Sequence, residues 1–308
     1  MRVIYGLDNV PDESTDRAVA IGVFDGVHWG HKSIFSHLLQ EANNFGLQSL
    51  TFTFEKNPAE LLAPTRAPYY ISTLSQRIEL IQSTGVDSVV IADFTPHLAH
   101  ISREDFLSQV LIDKLRTKRL VVGANFRFGR NREGDIRYLS EVAPDLGIGI
   151  TVVPAVVIDG GPVSSTRIRA HLLRGDVEIA AKLLGHRFAL RGTVVMGNQI
   201  GRSIGFPTAN VKGEPRQLIP GRGVYAVETT IDKTPYMGVC NIGTRPTFDG
   251  EGITVEVHID GFQGDIYGRQ LDVVFCRRLR DELKFSSRDS LVSQIREDLQ
   301  RANKSCRW

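Results

Sequence analysis

Gly22-Val23-Phe24-Asp25-Gly26-Val27-His28-Trp29-Gly30-His31 joins an apolar run, Ala18 to Phe24, to an amphipathic run, His31 to Asn44. The apolar run reads as a strand. The amphipathic run reads as a helix with Ile34, Leu38 and Leu39 on one side. The glycines between them let the backbone turn sharply and approach a ligand closely. The helix start offers unpaired amides and a positive dipole end, a natural seat for phosphate. His28 and His31 are three residues apart, so a first helical turn places them on one face. Two imidazoles there can donate to phosphate oxygens that gain charge during transfer. A glycine-rich turn carrying two surface histidines is the alternative. Zinc is less well supported, since no glutamate stands between the histidines and no third ligand is evident.

Outward from this stretch the same alternation continues. Gln48 to Phe54, Ser88 to Ile91, Leu120 to Gly123 and Ile150 to Val153 read as strands, and Ser75 to Ser83 and Arg103 to Arg116 as helices. Strands alternating with helices predict a parallel, Rossmann-like α/β sheet covered on both faces. Ligands bind beyond the carboxyl ends of such strands. After about Leu184 the pattern changes. Thr193 to Met196, Val224 to Ile231, Tyr236 to Asn241, Thr254 to Ile259 and Leu271 to Phe275 read as closely spaced strands, and no helix intervenes before Ser287 to Ala302. This predicts a small antiparallel β-barrel with a C-terminal helix packed outside it. Gly185 can stop the preceding helix, which sets the expected domains at 1–185 and 186–308.

The totals are compatible with this division. The 308 residues suffice for two domains, and 42% hydrophobic with 23% charged residues is ordinary for a folded chain. A formal net charge of +2 advertises neither nucleic acid nor membrane as a partner, and no obligatory protein partner is evident. Cys240, Cys276 and Cys306 lie far apart and are odd in number, which predicts reduced thiols in a cytoplasmic protein. The N-terminus lacks the apolar core of a signal peptide, and the run Val152 to Ile158 is too short to span a bilayer.

Two further stretches carry chemistry. Ser164-Ser165-Thr166-Arg167-Ile168-Arg169 precedes an apolar-periodic helix containing Leu172 and Leu173, where hydroxyls either cap the helix or bind phosphate. Gly197 to Asn210 includes Gly201-Arg202-Ser203-Ile204-Gly205-Phe206-Pro207-Thr208-Ala209-Asn210, a glycine-rich loop stiffened by Pro207. The Thr208 hydroxyl and Asn210 carbonyl are hard oxygen donors suited to Mg²⁺ beside ATP phosphates. In Thr254 to Ile259, strand alternation puts Thr254, Glu256 and His258 on one face. Glu256 is then either a solvated sheet carboxylate or a candidate general base.

These strings resemble a known family. Gly22 to His31 is similar to the HxGH signature of the nucleotidyltransferase superfamily, and Phe24 to His28 in particular resembles the bacterial riboflavin kinase/FAD synthetase family. Ser164 to Arg169 resembles that family's second ATP motif, SSTxIR. The family carries a basic residue two positions before the first serine, where this chain has Pro162. Gly123-Ala124-Asn125-Phe126-Arg127-Phe128-Gly129 resembles its G-x-D/N-F-x-F-G segment, and Gly205 to Asn210 its GFPTAN kinase motif. Phe54 to Pro58, Asn241 to Phe248 and Asp265 to Gly268 also match family segments in order, although Asn57 replaces a common histidine.

The resemblance implies that ATP is the co-substrate of two reactions, with Mg²⁺. Riboflavin is phosphorylated to FMN, and FMN is then adenylylated to FAD. It implies adenylyltransferase ATP contacts at Gly22, Phe24, Asp25, Gly26, His28, His31, Asn125, Ser164, Ser165, Thr166 and Arg169. For the kinase it implies ATP contacts at Gly201, Arg202, Gly205, Phe206, Pro207, Thr208 and Asn210, with Thr208 and Asn210 holding the metal. Glu256 becomes the base, His28 and His31 the charge stabilisers, and Phe128 and Arg296 flavin contacts. Phe128 as a core ring, and Arg296 as a solvated helix charge, are the other readings. Two rival functions stand beside this one: a kinase whose adenylyltransferase is weakened at Pro162, and a flavin-sensing regulator without catalysis.

Overall fold

The computed structural model describes residues 1–306 apart from 12–14, 198–200, 202–204 and 248–249; of 245–247 and 250–251 the backbone alone is described. The chain divides into two compact units, one of Met1–Pro68 with Leu74–Ser164, the other of Tyr69–Thr73 with Ser165–Trp308.

In the first unit, β1 (Arg2–Tyr5), β2 (Arg17–Ile21), β3 (Gln48–Phe54), β4 (Ser88–Ala92) and β5 (Thr117–Gly123) are joined, past a short ribbon of β6 (Arg127–Phe128) and β7 (Gly134–Asp135), by β8 (Gly149–Val153). The six longer strands form one sheet in the order β1-β4-β3-β2-β5-β8, every pair parallel. Both faces are apolar because successive residues point to opposite sides. Val19 and Ile21 enter one layer with Phe52, Leu120, Leu111 and Leu139. Ala18 and Ala20 enter the other with Phe35, Leu38 and Ile81. The chain builds outward from β2 in both directions, to β3 and β4 on one side and β5 and β8 on the other. That reversal makes the carboxyl end of β2 the topological switch point, where open α/β sheets bind ligands.

Some details depart from the sequence expectation. The strand expected to reach Phe24 stops at Ile21, because Phe24 takes a left-handed φ of 51° that no strand admits. The helix expected over Arg103 to Arg116 begins as a short α-turn, Arg103–Asp105, and continues with wider π-helical hydrogen bonding over Phe106–Lys114. Apolar spacing does not separate those two windings. β1 was not anticipated; it lies at a sheet edge.

The second unit opens, after Tyr69–Thr73, with helices Ser165–Arg174 and Val177–Leu184, the latter ended by Gly185 at φ 71°. The hairpin β9 (Val157–Ile158) and β10 (Gly161–Pro162) precedes them in the first unit. Then β11 (Ala189–Val195), β12 (Thr208–Gly213), β13 (Gly223–Ile231), β14 (Thr234–Thr247), β15 (Gly250–Ile259) and β16 (Gln270–Arg280) close into an antiparallel barrel, β11-β12-β15-β14-β13-β16. Phe188, Tyr225 and Phe275 pack ring against ring in its core. The C-terminal helix, Arg288–Ser305, covers Val224, Ala226, Val239 and Leu279 with Ala302. It is tied down by the Arg280–Asp298 ion pair at 2.7 Å, in which Asp298 is only 1% exposed. A disulfide between Cys276 and Cys306, Cα–Cα 5.4 Å, holds its end to β16. The expectation of reduced thiols is thus corrected for this pair, which only tertiary folding brings together. Cys240 stays a buried thiol.

Candidate active sites

The loop at the switch point is unusual backbone. Phe24, Gly26 and Val27 have φ of 51°, 76° and 37°, the left-handed region that a β-branched valine rarely enters. Phe24, Asp25, Gly26 and Val27 are buried, and Gly22 donates its N–H to the Phe52 carbonyl at 3.1 Å. The loop delivers the chain to His28, the N-cap of helix Trp29–Phe45, whose Nδ1 accepts from the His31 amide at 3.3 Å. The two imidazoles stack with centroids 3.6 Å apart, and the Phe24 ring meets His31 edge-on at 5.3 Å. Gly30 permits this: a Cβ there would stand 3.1 Å from the His28 ring. Two histidines on one face of a helix start at the ligand edge of a sheet can hold an anionic group and stabilise charge that grows on it.

Sequence reasoning missed the residue beneath this loop. Arg77 is 2% exposed and its guanidinium donates to the carbonyls of Val23 at 2.9 Å, Phe54 at 2.5 Å and Glu55 at 3.1 Å. Burial pushes its pKa down, and the charge of Asp25 opposes that shift. The signal was available, since Leu74, Arg77, Ile78 and Ile81 share one helical face and three of the four are apolar. Nearby, Glu55 is held above the usual carboxylate range by its hydrogen bond with Asp93 and by burial. Asn57, at the position without the family's histidine, caps the short helix Ala59–Leu62: its Oδ1 accepts from the Ala59 amide at 3.0 Å, and its own amide donates to Glu60 at 3.2 Å.

The remaining first-set residues are less concentrated. Asn125 is exposed in the turn after β5, closed by the Phe126 amide on the Gly123 carbonyl at 2.9 Å. Phe128 is 7% exposed and packs among Phe106, Phe126 and Tyr138. Pro162 is exposed in β10, opposite Val157. Ser164 ends the first unit, and Ser165, Thr166 and Arg169 lie in the first turns of helix Ser165–Arg174; the Arg169 Nε donates to the Tyr69 carbonyl at 2.7 Å.

In the barrel the register does the assembling. Asn210 pairs with Glu256 across β12 and β15, Thr208 with His258, and Glu256 in turn with Asn241 of β14. Val255, Val257 and Ile259 are buried, while Thr254, Glu256 and His258 are partly exposed, as strand alternation requires. Residues directly opposite share a sheet face, so Thr208, Asn210, Asn241, Glu256 and His258 occupy one face. The His258 Nδ1 lies 2.8 Å from the Pro207 carbonyl, and Phe206 meets its ring edge-on. Gly205 turns the loop with φ 85°, and the Phe206 amide reaches the Gly201 carbonyl at 2.8 Å. A Cβ on Gly197 would come within 2.0 Å of the Asn210 amide group, so only glycine accommodates Asn210 there. Hydroxyl, amide and carboxylate oxygens gathered on neighbouring strands fit a hard divalent cation. Arg202 lies outside the described residues, as do Asn198 to Ile200, Ser203, Ile204 and Phe248.

Val194, Ala209, Val257 and Ile259, on the opposite face, line a cleft of about 490 Å³ together with Phe262, Gln263, Asp265, Ile266 and Tyr267, and the Pro207–Thr208 segment also borders it. Cys240, buried beside the Glu256 charge, has its thiol pKa pushed up by desolvation and is inert as a nucleophile. Arg296 is exposed on the C-terminal helix.

The pattern of the FAD synthetase family matches residues 10–167, and that of riboflavin kinase matches residues 184–306. The bifunctional riboflavin kinase/FMN adenylyltransferase of Escherichia coli K12 is 39% identical over 97% of this chain and 96% of its own length. The chain belongs to the bifunctional riboflavin kinase/FMN adenylyltransferase family. A member from Haemophilus influenzae is 36% identical over 98% of both chains. A solved structure described as a macrolide-efflux protein from Streptococcus pneumoniae superposes with a TM-score of 0.89 at 32% identity, covering 98% of this chain and 99% of that one. Among the described residues of this family member, no helix is long and apolar enough to cross a membrane. The α/β sheet and the antiparallel barrel accord with the two halves of the family.

Proposed function

We propose that the chain makes FMN and then FAD at two separate residue sets, each consuming ATP. The set 1–185 is the FMN adenylyltransferase and the set 186–308 the riboflavin kinase. In the first reaction the γ-phosphoryl of ATP passes to the ribityl 5′-hydroxyl of riboflavin, giving FMN and ADP. Glu256 takes the hydroxyl proton as the O–P bond forms. Thr208 and Asn210 would hold Mg²⁺, which neutralises charge on the phosphates when bound. Gly201, Gly205, Phe206 and Pro207 take the phosphate chain, and Arg202, outside the described residues, is assigned to it by the resemblance. The cleft beside Thr208, with both apolar and polar walls, suits the nucleoside part of ATP. Arg296 contacts the flavin.

In the second reaction an FMN phosphate oxygen attacks the α-phosphorus of ATP and pyrophosphate leaves, so no protein nucleophile is required. His28 and His31 stabilise the developing charge at the start of their helix. Gly22, Phe24, Asp25 and Gly26 shape the phosphate-facing turn. Asn125, Ser164, Ser165, Thr166 and Arg169 hold the nucleotide, and Phe128, buried against Phe126, backs the flavin side of the site. Riboflavin, FMN and ATP are the partners, in the cytoplasm, with no call for nucleic acid, membrane or an obligatory protein.

The observation that carries this reading is the barrel register that aligns Asn210 with Glu256 and Thr208 with His258. Incubation with riboflavin and Mg-ATP, with flavins resolved by chromatography, tests it. FMN followed by FAD is expected. FMN alone would leave a single-activity kinase, the reading that Pro162 favours. Flavin binding without turnover would leave a sensor.

A further inference from the structure

The loop Val23 to Val27 holds three left-handed residues in five positions, Phe24, Gly26 and Val27, and it aims both histidines. Such backbone persists only where its surroundings over-determine it. What surrounds it here is a buried cation. Arg77 reaches the Val23 carbonyl at the loop's entrance, and with its other amino group the carbonyls of Phe54 and Glu55 at the end of β3. Thr53 adds a second donor to the Val23 carbonyl at 3.1 Å. Thus one planar guanidinium fixes the exits of β2 and β3, neighbouring strands at the ligand edge of the sheet. The charge of Asp25, buried in the same loop, favours keeping the cation there. A neutral amide has only two N–H donors for these three carbonyls, and an ammonium is a compact point charge without the reach of the guanidinium fork.

We propose that Arg77 is a positioning residue of the adenylyl-transfer step. It touches no substrate. It holds the Val23 to Val27 loop at one height above the sheet, so that His28 and His31 meet the transferring phosphate in a fixed place. The proposal rests on the reading of those histidines as phosphate-facing.

The test uses the full chain with Arg77→Lys and Arg77→Met, and Thr53→Val as a variant that removes one loop contact without touching a buried charge. FAD formation from supplied FMN, riboflavin phosphorylation and thermal unfolding are measured for each. A misplacement of this kind costs roughly 10²-fold in turnover. Arg77→Met is expected to lose that much kcat in the adenylyl step, with the ATP KM within about threefold. Arg77→Lys should recover part of the loss, Thr53→Val should lose less than either, and the kinase step should hold in all three. Ring resonances of His28 and His31 should shift in the Arg77 variants while those of His97 and His100 stay, a change that mere destabilisation would not produce. Wild-type adenylyl turnover in folded Arg77→Lys and Thr53→Val would overturn the proposal, as would a loss confined to KM. Controls separate the two levels. If His28→Ala and His31→Ala keep full FAD synthesis, the reading of the site fails. If they lose it while the Arg77 and Thr53 variants do not, the positioning role alone fails.

Discussion

The two units assemble their candidate sites by opposite routes. In the α/β unit both histidines come from one contiguous stretch, bent by left-handed residues and gripped from below by Arg77. In the barrel the residues proposed to hold the metal, and the proposed base, come from strands distant in sequence, aligned by ladder hydrogen bonds. The first arrangement stores strain in a loop. The second distributes its geometry over a closed sheet with little left-handed backbone at the base itself. A site of the first kind is sensitive to a single buried brace, whereas a site of the second kind is sensitive to register and to the groups on one strand face.

The largest expected effect sits in the barrel. Glu256→Gln keeps shape and removes the proton acceptor, so FMN formation should fall roughly 10²- to 10⁴-fold. FAD formation from supplied FMN should not change. Equal loss of both steps in a folded variant would break the contrast between the units.

The mirror experiment is His28→Ala or His31→Ala. Losing one preorganised donor costs roughly 10²- to 10³-fold, here in the adenylyl step only. Unaltered FAD synthesis in the double variant would remove the histidines from the mechanism.

A smaller effect concerns stability. The Cys276–Cys306 disulfide closes a loop of 30 residues within the barrel unit. Its reduction should lower the unfolding free energy of that unit by about 3.6 kcal/mol by chain entropy. Calorimetry with and without reductant should show the barrel transition move while the α/β transition stays. Movement of both would mean that the units unfold as one.

The smallest effect is expected at Pro162, an exposed position that is basic in the family the chain resembles. Pro162→Arg should lower the ATP KM of the adenylyl step about two- to fivefold, the worth of a surface ion pair. An unchanged KM would assign that contact to another residue, and a higher one would show that the β9–β10 hairpin needs its proline.

What could be read from the sequence follows from how each feature is encoded. The alternating strands and helices, the barrel and the final helix announce themselves by period, and Gly185 by its place after a helix. The His28 and His31 pairing was legible because spacing of three is a local property. The face shared by Thr254, Glu256 and His258 was legible for the same reason. Its alignment with Asn210 was not, since register is set between strands. The burial of Arg77 was legible from the apolar face it shares with Leu74, Ile78 and Ile81, but its partners were not, because backbone carbonyls carry no residue signature. The Cys276–Cys306 bond escaped because their meeting depends on where the last helix lands. Helix winding over Phe106–Lys114 was hidden because burial of Phe106, Leu107, Val110 and Leu111 satisfies either pitch.

The strip Tyr69–Thr73 belongs to the barrel unit although the chain before and after it belongs to the other. Tyr70 forms a parallel bridge with Gln217, and the Tyr70 amide and carbonyl bond Arg216 and Leu218 at 2.8 Å each. During synthesis the ribosome delivers the strip roughly 150 residues ahead of those partners, a wait of about 10–30 s at usual elongation rates. The α/β unit therefore emerges with a short segment committed to a neighbour not yet made, and the order of translation does not coincide with the order of completion. Arrested nascent chains should show it: those ending before residue 216 should be cut readily at 69–73, and released full-length chains should resist. Equal protection in both would mean that the strip is secured before its barrel partner exists.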